Sequence, residues 1–318
     1  MDFEPSDDQR AILEAVDQLL AQHAGAARAV ELARKDEYDF ALERALEEAG
    51  FAEVALGEET GALEAALVVE AVARAAGACA AGAQIVVAPL VSGRALPGPI
   101  AIADAAVPGP VRFAAQARSA LVLDGDAARV VGLSPGAATS VRSSFGFPFG
   151  RFAAGALEGG DSLGAGSGER LRSWWRVALA LEAAGAMGAA LALTVDYAKK
   201  RRQFGRAIGS FQAVQHRLAE CKVLVEGARW LALEAAWRGA PAEAAATALG
   251  YATTAAERVF ADTHQLSGAM GYTRAHELHV FSMRLPALRL ELGGAGAQRR
   301  AIARARWRDR PERLDGPA

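Results

Sequence analysis

The sequence has little cysteine: Cys79 and Cys221 are the only two in 318 residues, far apart and outside any metal-binding spacing. That excludes a disulfide framework and a thiolate metal centre, and both read as reduced core thiols. Net charge is also lacking, since 35 Lys and Arg against 37 Asp and Glu leave −2. Nothing in that balance favours nucleic acid or an anionic membrane as partner. The five histidines (His23, His216, His264, His276 and His279) never fall three residues after a glutamate. This excludes the Glu-x-x-His pairs of a ferritin-like di-iron bundle. The run AALVVEAVARAAG is interrupted by Glu70 and Arg74, short of the ~20 apolar residues of a membrane span, so none is expected. The opening MDFEPSDDQR is acidic and polar, unlike a secretory signal. What is there, 52% hydrophobic and 23% charged residues, suits a cytosolic globular protein with a large core.

The first third reads as helical. Ser6 followed by Gln9 forms a capping box, opening a helix with Ile12, Leu13, Val16, Leu19 and Leu20 on one face. A second helix is expected from about Asp39, with Phe40, Leu42 and Leu46 inward and Gly50 as its stop, and a third over about 61–76. From about Pro97 the texture changes. Pro97, Pro99, Pro108 and Pro110 break helices, and VRFAA (111–115), ALVLDG (120–125), ARVVGL (128–133) and residues 151–157 read as short strands. GALEGGDSLGAGSGE then reads as a linker, with Ser167 a candidate N-cap. Everything from there to Trp307 is helical in pattern, and 308–318 reads as a polar tail. The expected division is 1–96 helical, 97–168 strands, 169–307 helical bundle and 308–318 tail.

The stretch 197–220, YAKKRRQFGRAIGSFQAVQHRLAE, organises the bundle. Lys199, Lys200, Arg201 and Arg202 crowd the last turn of a long apolar helix, where cations suit the negative end of its dipole. Phe204-Gly205 breaks that helix. Ser210 is a candidate N-cap for the next one, whose apolar positions Phe211, Val214, Leu218, Cys221, Val225 and Ala228 step by three and four. Physics alone predicts an antiparallel helical hairpin with a cationic corner.

The same corner, with the pattern R-x-x-F-G-x-x-I-x-x-F-Q starting at Arg201, resembles the signature of the acyl-CoA dehydrogenases. HQLSGAMGYTRAHELHVFSMR (264–284) is similar to that family's later glycine-rich segment. The resemblance is strong from about Arg172 to Arg306 and weaker over the first hundred residues. It implies a mainly α, acyl-CoA dehydrogenase-like fold: an N-terminal helical lobe, a reduced middle β-domain and a C-terminal four-helix bundle. It also implies FAD as cofactor, an acyl-CoA thioester as substrate and an electron-transfer acceptor. In the family the Arg–Phe–Gln corner reaches a neighbouring subunit's FAD, which implies cofactor contacts for Arg201, Gln203, Phe204 and Gln212. An arginine fork suits phosphate oxygens and a phenylalanine face suits adenine. The later segment implies contacts for Gln265, Gly268 and Ala269, with Ala269 where relatives have a second glycine. Read without the resemblance, Arg201 is one of four surface cations, Phe204 and Phe211 are hairpin core, and Gly271-Tyr272 is a plain turn.

The departures concern the base that removes the α proton. Counting back from Gln298-Arg299 places Leu292 at the family's base position, with Glu291 beside it and Gly294 and Gly296 where relatives carry polar side chains. A one-residue offset on a helix turns a side chain by roughly 100°, so Glu291 is a weak catalytic candidate. A second group of relatives carries the base on the long helix, at a position that here holds Trp175. Glu182, two turns on, is expected to be a satisfied carboxylate. The middle segment also lacks the family's flavin-ring motifs. Together these resemble the short, degenerate-base subunit of heteromeric bacterial acyl-CoA dehydrogenases of the steroid side-chain type. The implied partner is a related subunit, with two alternatives: a self-sufficient homo-oligomer using Glu291, or a scaffold without flavin.

Overall fold

A computed structural model describes residues 4–307; the expected tail at 308–318 lies outside them. Five helices come first: α1 (Asp7–His23), α2 (Ala26–Lys35), α3 (Phe40–Glu48), α4 (Ala62–Arg74) and α5 (Ala88–Ser92). The Ser6–Gln9 capping box is present, with Val16 and Leu20 of α1 buried. Asp39 caps α3 by accepting from Leu42 N–H at 3.0 Å. Four elements of this lobe escaped the sequence reading: α2, whose helical stripe is short, a 3-10 turn at Phe51–Leu56, and a π-helical turn, Gly82–Val87, together with the α5 it runs directly into.

Seven short strands follow: β1 (Ile100–Asp104), β2 (Val111–Arg112), β3 (Ser119–Asp124), β4 (Ala127–Gly132), β5 (Ala138–Val141), β6 (Phe149–Phe152) and β7 (Asp161–Ala165). They form a four-stranded sheet, β1-β3-β4-β7, and a three-stranded one, β2-β6-β5. Only β1 and β3 pair in parallel. VRFAA supplies just two strand residues. Phe113 takes a left-handed conformation (φ 65°), which ends β2. The expected linker contains β7, which pairs with β4 despite its glycines because β4 presents an otherwise open edge.

The bundle is α6 (Ser167–Lys200), α7 (Gln212–Trp237), α8 (Ala242–Gly271), α9 (Leu278–Leu290) and α10 (Gly294–Trp307), with a small hairpin, β8 (Arg202–Gln203) and β9 (Arg206–Ala207), at the α6–α7 corner. α6, α7, α8 and α10 make the four-helix bundle and α9 crosses α6 and α8. α6 is apolar nearly all round, as a helix packed on every side must be. Its length and composition would let it cross a membrane, contrary to the expectation that no run reaches that length, but 78% of its apolar stretch is buried inside the fold. It crosses α4 so closely at Gly185 that a Cβ there would stand 2.4 Å from the Glu70 carbonyl oxygen.

Neither serine expected as an N-cap acts as one. Gly166 precedes α6, leaving Ser167 inside it, where its Oγ accepts from Ala128 N–H at 2.8 Å. Phe211 precedes α7, while Ser210 Oγ donates to the Ala207 carbonyl at 2.7 Å. The Ser167 hydroxyl thus serves a neighbouring strand, and that of Ser210 the turn just before it, in place of their own helix ends.

Glu43 of α3 is buried, and its Oε1 has no hydrogen-bond partner. Burial, with Glu47 one turn away, pushes its pKa up to about 7. The folded carboxyl therefore keeps its proton where the unfolded one, near 4.5, has lost it. The native state binds more protons between those values, so stability falls as pH rises from about 4.5 to about 7. Glu43→Gln should remove that slope and raise stability at pH 8 by about 1–3 kcal/mol, while changing little at pH 4. Thermal melts of both proteins at the two pH values check this, and an unchanged slope in the variant would refute it.

Candidate active site

A cleft of about 1550 Å³ opens between the strands, α6, and the α9–α10 connection. Ile100, Ile102, Phe145 and Phe149 give it an apolar wall, and Ala297 and Ala301 of α10 line the other side. Trp175 and Glu182, seven residues apart, share one face of α6 and reach its floor. There Arg112 of β2 donates through Nη1 to Glu182 Oε2 at 2.5 Å, and its Nε stands 2.9 Å from Glu291 Oε1. Trp175 Nε1 donates to Glu291 Oε2 at 3.0 Å. The Arg112 guanidinium also lies over Phe113 and Phe147, 5.1 and 4.9 Å from the ring centroids.

Electrostatics follow from this packing. Burial raises the Glu291 pKa, Arg112 opposes the rise, and Glu182 adds to it. For Arg112, burial works against the charge, but Glu182 and Glu291 outweigh it and the pKa stands above the ordinary value. Beneath lies Arg284 of α9, donating to the Gly146 and Gly77 carbonyls at 3.2 and 2.9 Å and 4.7 Å from the Phe147 centroid. Phe147 thus contacts two guanidiniums. Burial lowers the Arg284 pKa to about 10, which still leaves it cationic at neutral pH.

The loop before α10 differs from its expected geometry. Leu292, Gly293 and Gly294 have φ of 54°, 78° and 67°, three left-handed residues in succession. The rotation expected for a one-residue offset applies to a helix, and this is not one. Leu292 packs against the core and lines the cleft as well, and Glu291 reaches the cleft floor beside it. Gln298 fixes the turn, donating to the Leu292 carbonyl at 2.9 Å and accepting from Arg176 Nε at 3.0 Å. Glu182 is the satisfied carboxylate that its sequence position suggested. Arg112, Phe147 and Arg284 were missed, because a lone arginine in a two-residue strand carries no pattern.

The residues singled out for cofactor contact lie elsewhere. Phe204 and Gly205, with φ of 53° and 79°, form the two-residue turn of the β8–β9 hairpin. Phe204 is 90% exposed, so it is not hairpin core. Its ring meets Phe211 edge-on at 6.1 Å, and Arg206 covers Phe211 at 4.0 Å. Arg201, Gln203 and Gln212 are exposed beside it. Gln265, Gly268 and Ala269 are exposed where α8 kinks at Gly268 (φ 57°, ψ −147°). Contact between the rings of Tyr197 and His276, 5.8 Å apart, puts both motifs at one end of the bundle. None of the seven lines the cleft. Arg201 is 19 residues along α6 from Glu182, ~28 Å by helix rise, and Gln265 is 23 residues along α8 from the cleft-lining Ala242, ~35 Å.

A dinucleotide fits this cleft in part. The volume exceeds the ~300–1,000 Å³ of ordinary ligand pockets, the apolar wall suits a flat ring system, and Arg172, Arg300 and Arg304 line it as phosphate-compatible cations. Among the described residues, however, no Ser, Thr, Tyr, Asn or Gln side chain lines it. Neutral hydrogen-bonding groups for such a ligand must come from backbone or from another chain.

Comparison with known proteins finds matches over most of the chain. Residues 6–93 match the family model described as acyl-CoA dehydrogenase, N-terminal domain, and residues 171–306 the one described as acyl-CoA dehydrogenase, C-terminal domain. Acyl-CoA dehydrogenase IpdE2 of Mycobacterium tuberculosis is 41% identical over 108 residues, covering 34% of each protein. The match thus spans about a third of that relative's length. The ChsE4-ChsE5 complex from Mycobacterium tuberculosis has the same fold, with a TM-score of 0.81 at 24% identity over 100% of both chains. The Tcur3481-Tcur3483 steroid ACAD gives 0.81 at 23% identity, over 95% of this chain and 98% of that one.

Proposed function

From the premise that this chain belongs to the acyl-CoA dehydrogenase family, we propose that it is one subunit of a hetero-oligomeric, FAD-dependent acyl-CoA dehydrogenase. The assembly desaturates an acyl-CoA thioester between its α and β carbons and passes the electrons to an electron-transfer acceptor. One observation carries this reading. The exposed Arg201–Phe204 corner and the chain's own cleft stand ~28 Å apart along α6, so a single chain cannot bring them to one cofactor. Each corner therefore serves a neighbour's cleft. Bound FAD supplies a flat ring that accepts the β hydride. Arg201 and Gln203 hold its phosphates across the interface, Phe204 offers a face to its adenine, and Gln212, Gln265, Gly268 and Ala269 border the same surface.

Unlike chains are favoured over identical ones by two observations. The ChsE4-ChsE5 structure, alike in fold over its whole length, is a complex of two differently named chains. In this chain Glu291 is already engaged by Arg112 and Trp175, so the partner supplies the carboxylate that takes the α proton. The likeness to a steroid ACAD, together with a roomy cleft, supports a bulky steroid-derived acyl group. A second reading, a self-sufficient oligomer with Glu291 as base, draws on one fact: Glu291 reaches the cleft with a raised pKa, which suits proton abstraction near neutrality.

Arg201→Ala tests the corner. A charge-assisted contact is worth about 1.5–3 kcal/mol, so FAD affinity in the assembled enzyme should fall roughly 10- to 150-fold with the fold intact. Arg202→Ala, the next residue along β8, is the control. Equal losses from both changes, read by equilibrium FAD titration, would mean that the corner is only a cationic surface.

A further inference from the structure

Two buried carboxylates sharing one arginine are an unequal arrangement, and the inequality can be read from geometry. Glu182 takes a hydrogen bond from Arg112 Nη1 at 2.5 Å. Glu291 Oε1 lies 2.9 Å from Arg112 Nε yet accepts no well-aligned hydrogen bond among the described residues. Its contact with the cation is therefore a charge contact only, and the indole of Trp175 is its one donor. Glu291 is also the more exposed of the pair, 19% against 10%, and the one carried by a loop. That loop has little freedom to carry it away, since three left-handed residues and the Gln298 hydrogen bond hold it.

We propose that Arg112, steadied by Glu182, is a positioning residue for Glu291: the shared guanidinium holds that carboxylate on the cleft floor and makes it a weaker proton acceptor than burial against an indole alone would. The proposal concerns these side chains alone and does not rest on the function proposed above. The charged groups facing Glu291 are Arg112 from β2 and Glu182 from α6. Behind them lie Arg284 from α9 and the buried thiol of Cys79, which face Arg112 and Glu182 across a small internal space. Cys79 is uncharged at neutral pH, its pKa pushed far up by burial, so the cluster has two cations and two carboxylates and is neutral when Glu291 is ionised. Removing Glu182 gives Arg112 wholly to Glu291. Removing both Arg112 and Glu182 leaves Glu291 buried with only an indole.

The indole of Trp175 makes this measurable in the chain alone, without flavin or partner. With ¹⁵N-labelled tryptophan, five indole signals are expected, and Trp175→Phe identifies the relevant one. Its shift should follow pH as Glu291 titrates, and Glu291→Gln should abolish that response. Glu182→Gln should move the midpoint down by about 1 pH unit or more, and Arg112→Gln with Glu182→Gln should move it up by about as much, as expected when a neighbouring cation is concentrated or lost. The paired substitution avoids stranding two buried carboxylates, and Glu182→Gln by itself decides the matter should the double variant not fold. Midpoints within about 0.3 unit of wild type in every folded variant, or a Trp175 signal indifferent to Glu291→Gln, would overturn the proposal. Because no cofactor is involved, failure here leaves the function reading standing, and failure of that reading leaves this result interpretable.

Discussion

Glu291→Gln should lower turnover of the assembled enzyme by less than ~10-fold, while the matching glutamate-to-glutamine change in the partner abolishes it with flavin still bound. Loss of a positioned general base costs 10²–10⁴-fold or more, which far exceeds the effect of disturbing a neighbouring ion pair. The prediction rests on what engages Glu291: Arg112 at 2.9 Å on one oxygen and the Trp175 indole at 3.0 Å on the other. Of that carboxylate, Oε2 is taken by the indole, and Oε1, though it accepts no hydrogen bond, is buried beside the guanidinium and shut away from a substrate. Burial raises its pKa, which taken alone would favour a base, so the two effects oppose each other. Geometry decides between them, because proton abstraction requires an oxygen within hydrogen-bond reach of the substrate. Steady-state rates for both variants, with FAD content determined on the same samples, make the comparison. Complete loss from Glu291→Gln, with occupancy unchanged, would transfer the role of base to this chain.

Much of this architecture was legible in the residues. The Ser6–Gln9 capping box and the apolar stepping of α7 from Val214 to Ala228 are local patterns, and local physics produces them. The helix expected to run to Phe204-Gly205, by contrast, ends at Lys200, leaving Arg201 and Arg202 outside it. Pairing partners are not local. β7 lies in a glycine-rich run because β4 supplies its ladder, and Ser167 lost its capping role to an N–H of β4. Pattern misjudged α6 in another way, since its helical face is buried all round and only packing distinguishes it from a membrane span. The corner motif was legible as sequence, and its distance from the cleft follows once α6 is one unbroken helix. The floor of the cleft was legible only in half. Trp175 and Glu182 share a helix face by their spacing, but Arg112 meets them through tertiary contact and Glu291 through a left-handed turn at Leu292, where a leucine gives no warning of positive φ.

The central claim is that this chain holds half of a flavin site, and FAD content measures it most directly. Both halves exist in one chain, but ~28 Å apart along α6. Among the described residues no Ser, Thr, Tyr, Asn or Gln lines the cleft half, whose one indole N–H is spent on Glu291, and the corner half is at the surface. A chain deprived of its partner offers the cofactor one apolar wall and some cations, without the arginine, glutamine and aromatic groups that a neighbour brings. The chain should be expressed alone and together with a related acyl-CoA dehydrogenase chain encoded beside it, and FAD per protomer read from the visible absorbance after gel filtration. The account predicts little or no retained FAD and no turnover for the chain alone, and flavin in fixed proportion to protomers, with turnover, in the two-chain complex. Full occupancy and full turnover in the chain alone would contradict it.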